Sequence, residues 1–445
     1  MKYSLGEVAK IVDGKLIGEE NTPVTGVSTD TRTISRGDVF FAIKGERFNG
    51  EDFVEEAFKK GASGAVVSKN FTAKSRNIVI VDDTLEALGK FAAHHRNRLR
   101  NTKVVAVTGS TGKTTTKEMI FYALKGSFRC HRNPRSFNNF IGVPLTILQA
   151  DDSTDVLISE VGTNHPGEIE RLTRIVRPHI AIITSIGRSH LQFFGSVESV
   201  AREKAAILDF FDGPGIAIIN EDTGFKELLS GKARKTLTVS VKNKKADFYG
   251  EVEYLDYERV VFIVNGEHRV ELRPGGYGTV YGALFALAVA GELGVQLEEA
   301  LTNLQEFRGV GMRKEVLQVK NFRILNDAYN ANPDSMEDFL KTLLPFREKV
   351  VLVLGDMLEL GDFSESYHRE IGKKIKELGF RKLITIGNFS KFYNIEAGEL
   401  EINEHLDSHD EVAEMLSRMD GEVFVALKAS RAMELEKIIE KLRRM

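Results

Sequence analysis

Residues 104–116 read VVAVTGSTGKTTT, an apolar run breaking into Gly-Ser-Thr-Gly-Lys-Thr, which is how a buried strand turns into a phosphate cradle. Gly109 and Gly112 permit backbone angles and a closeness of approach that a side chain would block. The backbone N–H groups of Gly109, Ser110, Thr111, Gly112, Lys113 and Thr114 are therefore expected to face a polyphosphate, with Thr115 just beyond them. A helix starting near Thr114 adds its positive N-terminal end. Lys113 supplies a point charge for the β- and γ-phosphates, and the Thr114 hydroxyl a ligand for Mg2+. The strict P-loop pattern asks for Gly where Val107 stands, a mismatch outweighed by the strand, loop and helix around it. The expected ligand is a nucleoside triphosphate.

At 445 residues the chain exceeds one ordinary core and suits three domains of about 150 residues each. Hydrophobic residues make up 42%, enough for a core in every one. A net charge of −3 leaves no basic excess to neutralise a phosphodiester backbone, which argues against a nucleic-acid partner. The single cysteine, Cys130, rules out an internal disulfide and suits a reducing compartment. No run approaches the roughly 18 apolar residues of a membrane span, and the N-terminus lacks the apolar centre of a signal peptide. The expectation is a cytoplasmic monomer with no membrane span.

Apolar runs at 156–159, 180–184 and 216–219 join 104–107 as candidate buried strands separated by helices. That is the rhythm of a doubly wound parallel layer, whose ligands lie at the carboxyl ends of the strands. Residues 1–101 read as a small α/β unit, with strands at 39–43, 64–68 and 77–81, a turn at 44–50, and helices at 51–61 and 84–100. His94 and His95, side by side on the second helix, are expected at the surface. From 312 the rhythm restarts, with strands in 350–357, 382–387 and 422–430 around helices such as SESYHREIGKKIKELG. The fold class is thus α/β in three domains: a small N-terminal unit (1–101), a central P-loop parallel sheet (102–311) and a Rossmann-like C-terminal unit (312–445).

The residues at the ends of the central strands matter most. Glu160 ends VLIS, and a carboxylate beside a P-loop is the usual second anchor for a nucleotide's Mg2+. His190 comes after IAIITSIGRS, where a structural histidine and a site residue are equally good readings. Lys204, in SVESVAREKAAILDF, lies on an amphipathic helix and reads as a solvated surface lysine. Two segments imitate other motifs. GGYGTVYG (275–282) spaces its glycines one residue too wide for a dinucleotide fingerprint, and NKKAD (243–247) delivers its Asp247 one residue late for the guanine-reading Asn-Lys-x-Asp. Both are expected to be turns.

Taken together, TGSTGKTTTKEM, NPRSFNNFIGVPLTIL (133–148), EVGTNHPGEI (160–169), IGRSHLQFFGSVESVAREKAAIL (186–208), NDAYNANPDSM (326–336) and LGDMLELGDFSESYHREIG (354–372) resemble the Mur ligases. Within them NNFIGVPLT, YNANPDSM and LGDMLELG are similar to the MurF type, and the DNPR-like motif of the diamino-acid-adding sibling is absent from the last section. The resemblance implies that ATP and Mg2+ are used, with UDP-N-acetylmuramoyl-tripeptide and D-alanyl-D-alanine as substrates. It implies that the first domain holds the UDP end through Ser28, Thr29, Asp30 and Arg32. Thr114 and Glu160 match the ligands of one Mg2+, His190 a ligand of a second, and Lys204 the lysine that some members carbamylate. Arg313, Asp327 and Asn330 match positions that meet the nucleotide when domains close, and Lys428 and Arg431 fall in a basic motif of the domain binding the incoming dipeptide. Departures stand out in two segments: Gly278, Thr279 and Gly282 replace a His and two Asn on the adenine side. Asn326-Asp327 stands where two Asp are usual.

The implied reaction is peptide-precursor ligation. ATP phosphorylates a peptide carboxylate, ADP leaves, and the amine of D-alanyl-D-alanine displaces phosphate from the acyl phosphate. Such transfer is chiefly positioning and charge stabilisation, so Lys113, Glu160, His190 and Lys204 are the expected catalytic group. A sibling ligase with another amine donor, a folate or poly-amino-acid ligase, and a P-loop switch stay open as alternatives.

Overall fold

A computed structural model describes residues 2–45, 48–72, 77–134 and 136–445. Glu46 and Arg47 of the expected turn at 44–50, and Arg135 of the NPRSFNNF string, lie outside the described residues. The expected α/β class holds, with three principal sheets.

The central sheet has nine strands. Its middle is β1 (Lys103–Thr108), flanked by β2 (Val156–Glu160) on one side and β3 (Ile180–Ile183), then β4 (Ile216–Asn220), on the other. All are parallel, and Val104 to Val107 are wholly buried, as continuous apolar strands covered on both faces must be. Register pairs Val107 with Glu160 and Thr108 with Ile183, so the ends of three strands arrive level at one edge of the layer. The sheet also extends through Lys235–Ser240 into an antiparallel meander, Phe248–Leu255, Val260–Val264 and His268–Leu272, that the strand rhythm did not announce.

Helix α1 (Lys113–Leu124) leaves β1 through the glycine loop and packs on α2 (Tyr277–Glu292). Gly282 makes that approach possible, since a Cβ there would sit 2.7 Å from Met119 Sδ. The expected turn at 275–282 is therefore half wrong. Gly275 and Gly276 turn the chain, Gly276 at φ +100°, but 277–282 opens a helix. The reason is tertiary: a segment apolar on every side has only a buried helix available to it, and burial outweighs the glycines' poor propensity. NKKAD is a turn as expected, with Asp247 accepting both the N–H and the hydroxyl of Thr238, at 2.7 and 2.9 Å.

The first sheet runs Lys15–Ile17, Ile78–Val81, Gly64–Ser68, Asp38–Phe41 and Gly26–Ser28. The helix after it, Thr84–Arg98, corrects one expectation. His94 is exposed but His95 is buried, its Nδ1 3.0 Å from Tyr3 Oη and its Nε2 2.8 Å from Ala150 O. Adjacent helical residues face different ways, and this helix is packed on two sides. Arg96 is buried as well, its guanidinium donating to Val176 O and Arg177 O at 2.8 Å each.

In the last section six strands lie in the order Glu315–Val319, Phe322–Asn326, Val423–Lys428, Val351–Gly355, Lys382–Ile386 and Ile402–Leu406. Only the first pair is antiparallel, which is the Rossmann-like pattern expected.

Candidate active site

One cavity of about 440 Å³ gathers the glycine loop, the ends of β2 and β4, the start of α2, and residues of the last section. Glycine is required twice in the loop. At Gly109, φ is +150° and a Cβ would lie 2.0 Å from Thr184 Oγ1; at Gly112, φ is +82° where the helix begins.

The loop is braced differently from the sequence expectation. Ser110 N–H donates to Ser185 O at 2.9 Å and Thr111 N–H to Ser185 Oγ at 2.8 Å. These two amides tie the loop to 184–189 instead of facing the cavity. Thr184 Oγ1 completes the brace by donating to Thr111 O at 2.6 Å. The helix starts at Lys113, so the N–H groups of its first turn, which have no partner within the helix, remain as the anion cradle.

Lys113 Nζ donates to Gly109 O at 2.6 Å, and burial lowers its pKa to about 8 despite the opposing charge of Glu160. Thr114 Oγ1 donates to Glu160 Oε2 at 2.8 Å, and Asn138 Nδ2 holds Oε1 at 2.8 Å. Asn133 Oδ1 accepts the Glu160 N–H at 2.9 Å. A buried carboxylate and a hydroxyl, oriented by amides and opening on the cavity, are hard oxygen donors that fit Mg2+. Among the described residues no three His, Cys, Asp or Glu are grouped to hold a metal by themselves. A partial protein shell suits a cation that keeps phosphate oxygens and water as its other ligands.

His190 lines the same cavity in a left-handed conformation, φ +54°, with Nδ1 2.6 Å from Glu359 Oε2. Lys204 overturns the surface reading: it is buried, and burial, with the charge of Lys113 added, holds its pKa well below that of an ordinary lysine. Its helix, Val197–Ala205, turns that face into the protein.

Four of the residues expected from the last section, Arg313, Asp327, Asn330 and Lys428, line the cavity. Lys428 Nζ donates to Asp327 Oδ2 at 2.7 Å and to Asn330 O at 3.1 Å. Arg313 lies 3.9 Å over the Tyr329 ring and donates to Ser136 Oγ at 3.3 Å. Arg431 is not brought there; it pairs with Glu436 at 2.6 Å. Ser28, Thr29, Asp30 and Arg32 also lie outside the cavity, at the end of the edge strand of the first sheet, where Asp30 clamps Arg32 with contacts of 2.6 to 3.0 Å.

The motif strings divide into site and scaffold. In NANPDSM, Asn332 caps the helix Pro333–Thr342, Pro333 occupies its first position, and Ser335 completes a capping box. In LGDM, Asp356 is buried and accepts three amides, from Asn388, Phe389 and Ser390, at 2.7 to 3.0 Å. Where the adenine-side polar residues are replaced, Tyr277, Gly278, Thr279 and Tyr281 line the cavity, and Tyr281 Oη donates to Asp222 Oδ2 at 2.6 Å. Gly282 faces Met119 instead. Sequence reasoning missed Ser136, Asn138 and the Thr184-Ser185 brace, although two hydroxyls directly after a central strand were a signal for the last.

Known proteins resemble the chain throughout. Residues 107–290 match the family model described as the Mur ligase middle domain, 312–431 that of the Mur ligase, glutamate ligase domain, and 23–96 that of the Mur ligase family, catalytic domain. The UDP-N-acetylmuramoyl-tripeptide--D-alanyl-D-alanine ligase of Bacillus subtilis (strain 168) is 34% identical, over 99% of this chain and 98% of its own length. A crystal structure of MurF from Acinetobacter baumannii superposes with a TM-score of 0.92 at 28% identity, covering 100% of this chain and 99% of that one. The MurF ligase of Thermotoga maritima, solved in complex with ADP, gives 0.84 at 27% identity, covering 95% and 97%.

Proposed function

The chain belongs to the Mur ligase family, and from that premise we propose that it joins D-alanyl-D-alanine to UDP-N-acetylmuramoyl-tripeptide at the expense of ATP, in peptidoglycan precursor synthesis. One observation carries the reading: the Lys113, Thr114 and Glu160 constellation faces Arg313, Asp327, Asn330 and Lys428 across a single cavity.

The terminal carboxylate of the tripeptide attacks the γ-phosphorus of ATP, the bond to the β,γ-bridging oxygen breaks, and ADP departs. The dipeptide amine then adds to the acyl phosphate carbonyl, loses its proton, and expels phosphate. The first-turn amides of α1 and the Lys113 ammonium hold the polyphosphate in line. Thr114 and Glu160 are the residues that would hold one Mg2+, His190 and a carbamylated Lys204 a second, and such ions neutralise charge on the phosphates. Burial favours the neutral amine of Lys204, the form that adds CO2 to give a carbamate with loss of a proton. Arg313 and Lys428 bring positive charge from the last section, and its approach excludes water from the reactive acyl phosphate.

The division of labour runs segment by segment: 1–101 holds the UDP end through Ser28, Thr29, Asp30 and Arg32, 102–311 holds ATP, and 312–445 holds the dipeptide, with Lys428 supplying positive charge in the cavity and Arg431 standing outside it. The reaction is placed in the cytoplasm, on a monomer. The turn at NKKAD gives the P-loop switch reading no support, because Asp247 is engaged by Thr238. The test is phosphate release with ATP and UDP-N-acetylmuramoyl-tripeptide, with and without D-alanyl-D-alanine. Release that depends on the dipeptide is the expected result; equal release without it, or with any amine supplied, rejects this reading.

A further inference from the structure

Loop 185–190, between β3 and the short helix Leu191–Phe194, is held from two sides. On one side it meets the glycine loop. The Gly187 N–H donates to Ser110 Oγ at 3.0 Å, Ser110 Oγ donates to Gly187 O at 3.3 Å, and Ser189 Oγ donates to Ser110 Oγ at 2.9 Å. Together with Ser185, these bonds make the loop the rear wall of the phosphate cradle.

On the other side it meets the last section of the chain through Arg188. The Arg188 N–H donates to Asp334 Oδ2 at 2.6 Å and Nε donates to Asp334 Oδ1 at 2.8 Å. Nη2 reaches Glu337 Oε1 at 2.7 Å, Nη1 reaches Glu370 Oε1 at 2.6 Å, and the guanidinium lies 5.2 Å from the Tyr367 ring centre. Asp334 and Glu337 stand on Pro333–Thr342 and Glu370 on Ser364–Glu377, so one side chain gathers two helices. Gly187 lets the backbone come this close, since a Cβ there would lie 2.2 Å from Asp334 Oδ2. The Arg188 side chain is only 19% exposed. Without it three carboxylates, 25 to 47% exposed, would face one another across a partly shielded contact, a greater loss than that of a single fully exposed ion pair. A guanidinium suits the position, because Nε, Nη1 and Nη2 spread its donors in a plane toward three separate carboxylates, whereas an ammonium gathers its three donors on one atom.

Arg188 itself does not line the cavity, although Asp334, which it holds, does. We propose that Arg188 is a positioning residue that latches the section from 312 onward against the phosphate cradle, setting Arg313, Asp327 and Lys428 in register with the nucleotide. This rests on the ligase reading above, in which the cavity is completed from both sides. The latch and the cradle share one short loop, so opening the latch loosens Ser110 and with it the glycine loop.

The experiment compares the parent chain with Arg188→Gln, Arg188→Lys, Glu370→Gln and the Arg188→Gln/Glu370→Gln double variant. The radius of gyration is read by small-angle scattering, and kcat and KM by phosphate release. Arg188→Gln is expected to enlarge the radius of gyration, lower kcat about tenfold and raise KM for ATP several-fold. KM for the UDP-linked substrate, whose nucleotide end is held elsewhere, should stay within about twofold. Arg188→Lys should recover only part of kcat, and Glu370→Gln should do little more once Arg188 is gone. Unchanged radius and kinetic constants with only a lower melting temperature would overturn the latch, as would strictly additive effects in the double variant. If Arg188→Gln does not fold, Glu370→Gln and Arg188→Lys decide by the same readouts. A parent chain that releases no phosphate defeats the ligase reading, whereas the scattering comparison still decides the latch.

Discussion

At the residue scale, burial does the chemical work. Lys113 and Lys204 are both enclosed; at Lys113 the charge of Glu160 is the leading influence after desolvation and opposes it, whereas at Lys204 the charge of Lys113 adds to desolvation ahead of the opposing Glu203. With its pKa lowered to about 8, Lys113 still takes a proton at neutral pH, and the negative charge of a triphosphate would favour that form further. Lys113→Ala should cut phosphate release by at least about 10³-fold while leaving the far-UV spectrum and melting temperature near those of the parent. Lys204 has a different logic. A permanently charged arginine there can neither take up CO2 nor be desolvated cheaply, so Lys204→Arg should lower kcat by about 10²-fold. Removing dissolved CO2 should slow the parent and leave that variant unaffected; a parent indifferent to CO2 would show that the amine works unmodified.

At the element scale, the helix Thr84–Arg98 joins the first section to the central sheet through its last turn. Arg96 lies inside that joint and donates to two main-chain carbonyls at 2.8 Å as well as to Asp212 Oδ2 at 3.1 Å. Arg96→Ala would leave the buried Val176 carbonyl and the part-buried Arg177 carbonyl without this donor and open a void. The first urea transition should lose about 3 kcal/mol, and it should separate from the unfolding of the rest, because the change severs a joint between cores. The glycine loop gives a companion case. Gly109→Ala must both hold a left-handed backbone and push Thr184 away, so ADP affinity measured by calorimetry should fall about tenfold or more.

At the scale of the whole molecule, four histidines, His95, His131, His179 and His368, have pKa values lowered chiefly by burial, His179 to about 4. For His179 the charges of Arg96 and Lys103 add to that effect and Asp212 opposes it. Its Nδ1 accepts the Val104 N–H at 3.0 Å, a bond that a protonated ring cannot make. In the unfolded chain these rings take protons near pH 6.5, whereas the folded chain resists until lower pH. Stability from this source is complete above that pH and is lost as pH falls from 6.5 toward 4. His179 alone should account for about 2 kcal/mol of loss at pH 5. His179→Asn, whose amide oxygen can accept the same N–H, should flatten the acid limb of the melting curve.

How much was legible beforehand differs between the parts of the site. Lys113, Thr114 and Glu160 could be placed from sequence because each is tied to a strand end by one or a few residues, and parallel strands in register bring such ends to one edge. The position of Asp356 was equally readable, but not its task, since the three amides it binds lie more than thirty residues later. Lys204 and His95 were misread for one reason: helical periodicity tells which residues share a face, and only the packing of distant elements tells whether that face meets water.

The sequence by itself determined the alternation of strand and helix, the glycine loop and the order in which strand-end residues arrive, because apolar runs and φ-permissive glycines act over a few residues. Only the tertiary structure decided which loop amides face the cavity, that Lys204 is enclosed, and that Arg188 meets three carboxylates from two helices. Those outcomes depend on desolvation and charge among groups far apart in the chain, and no local pattern encodes such distances.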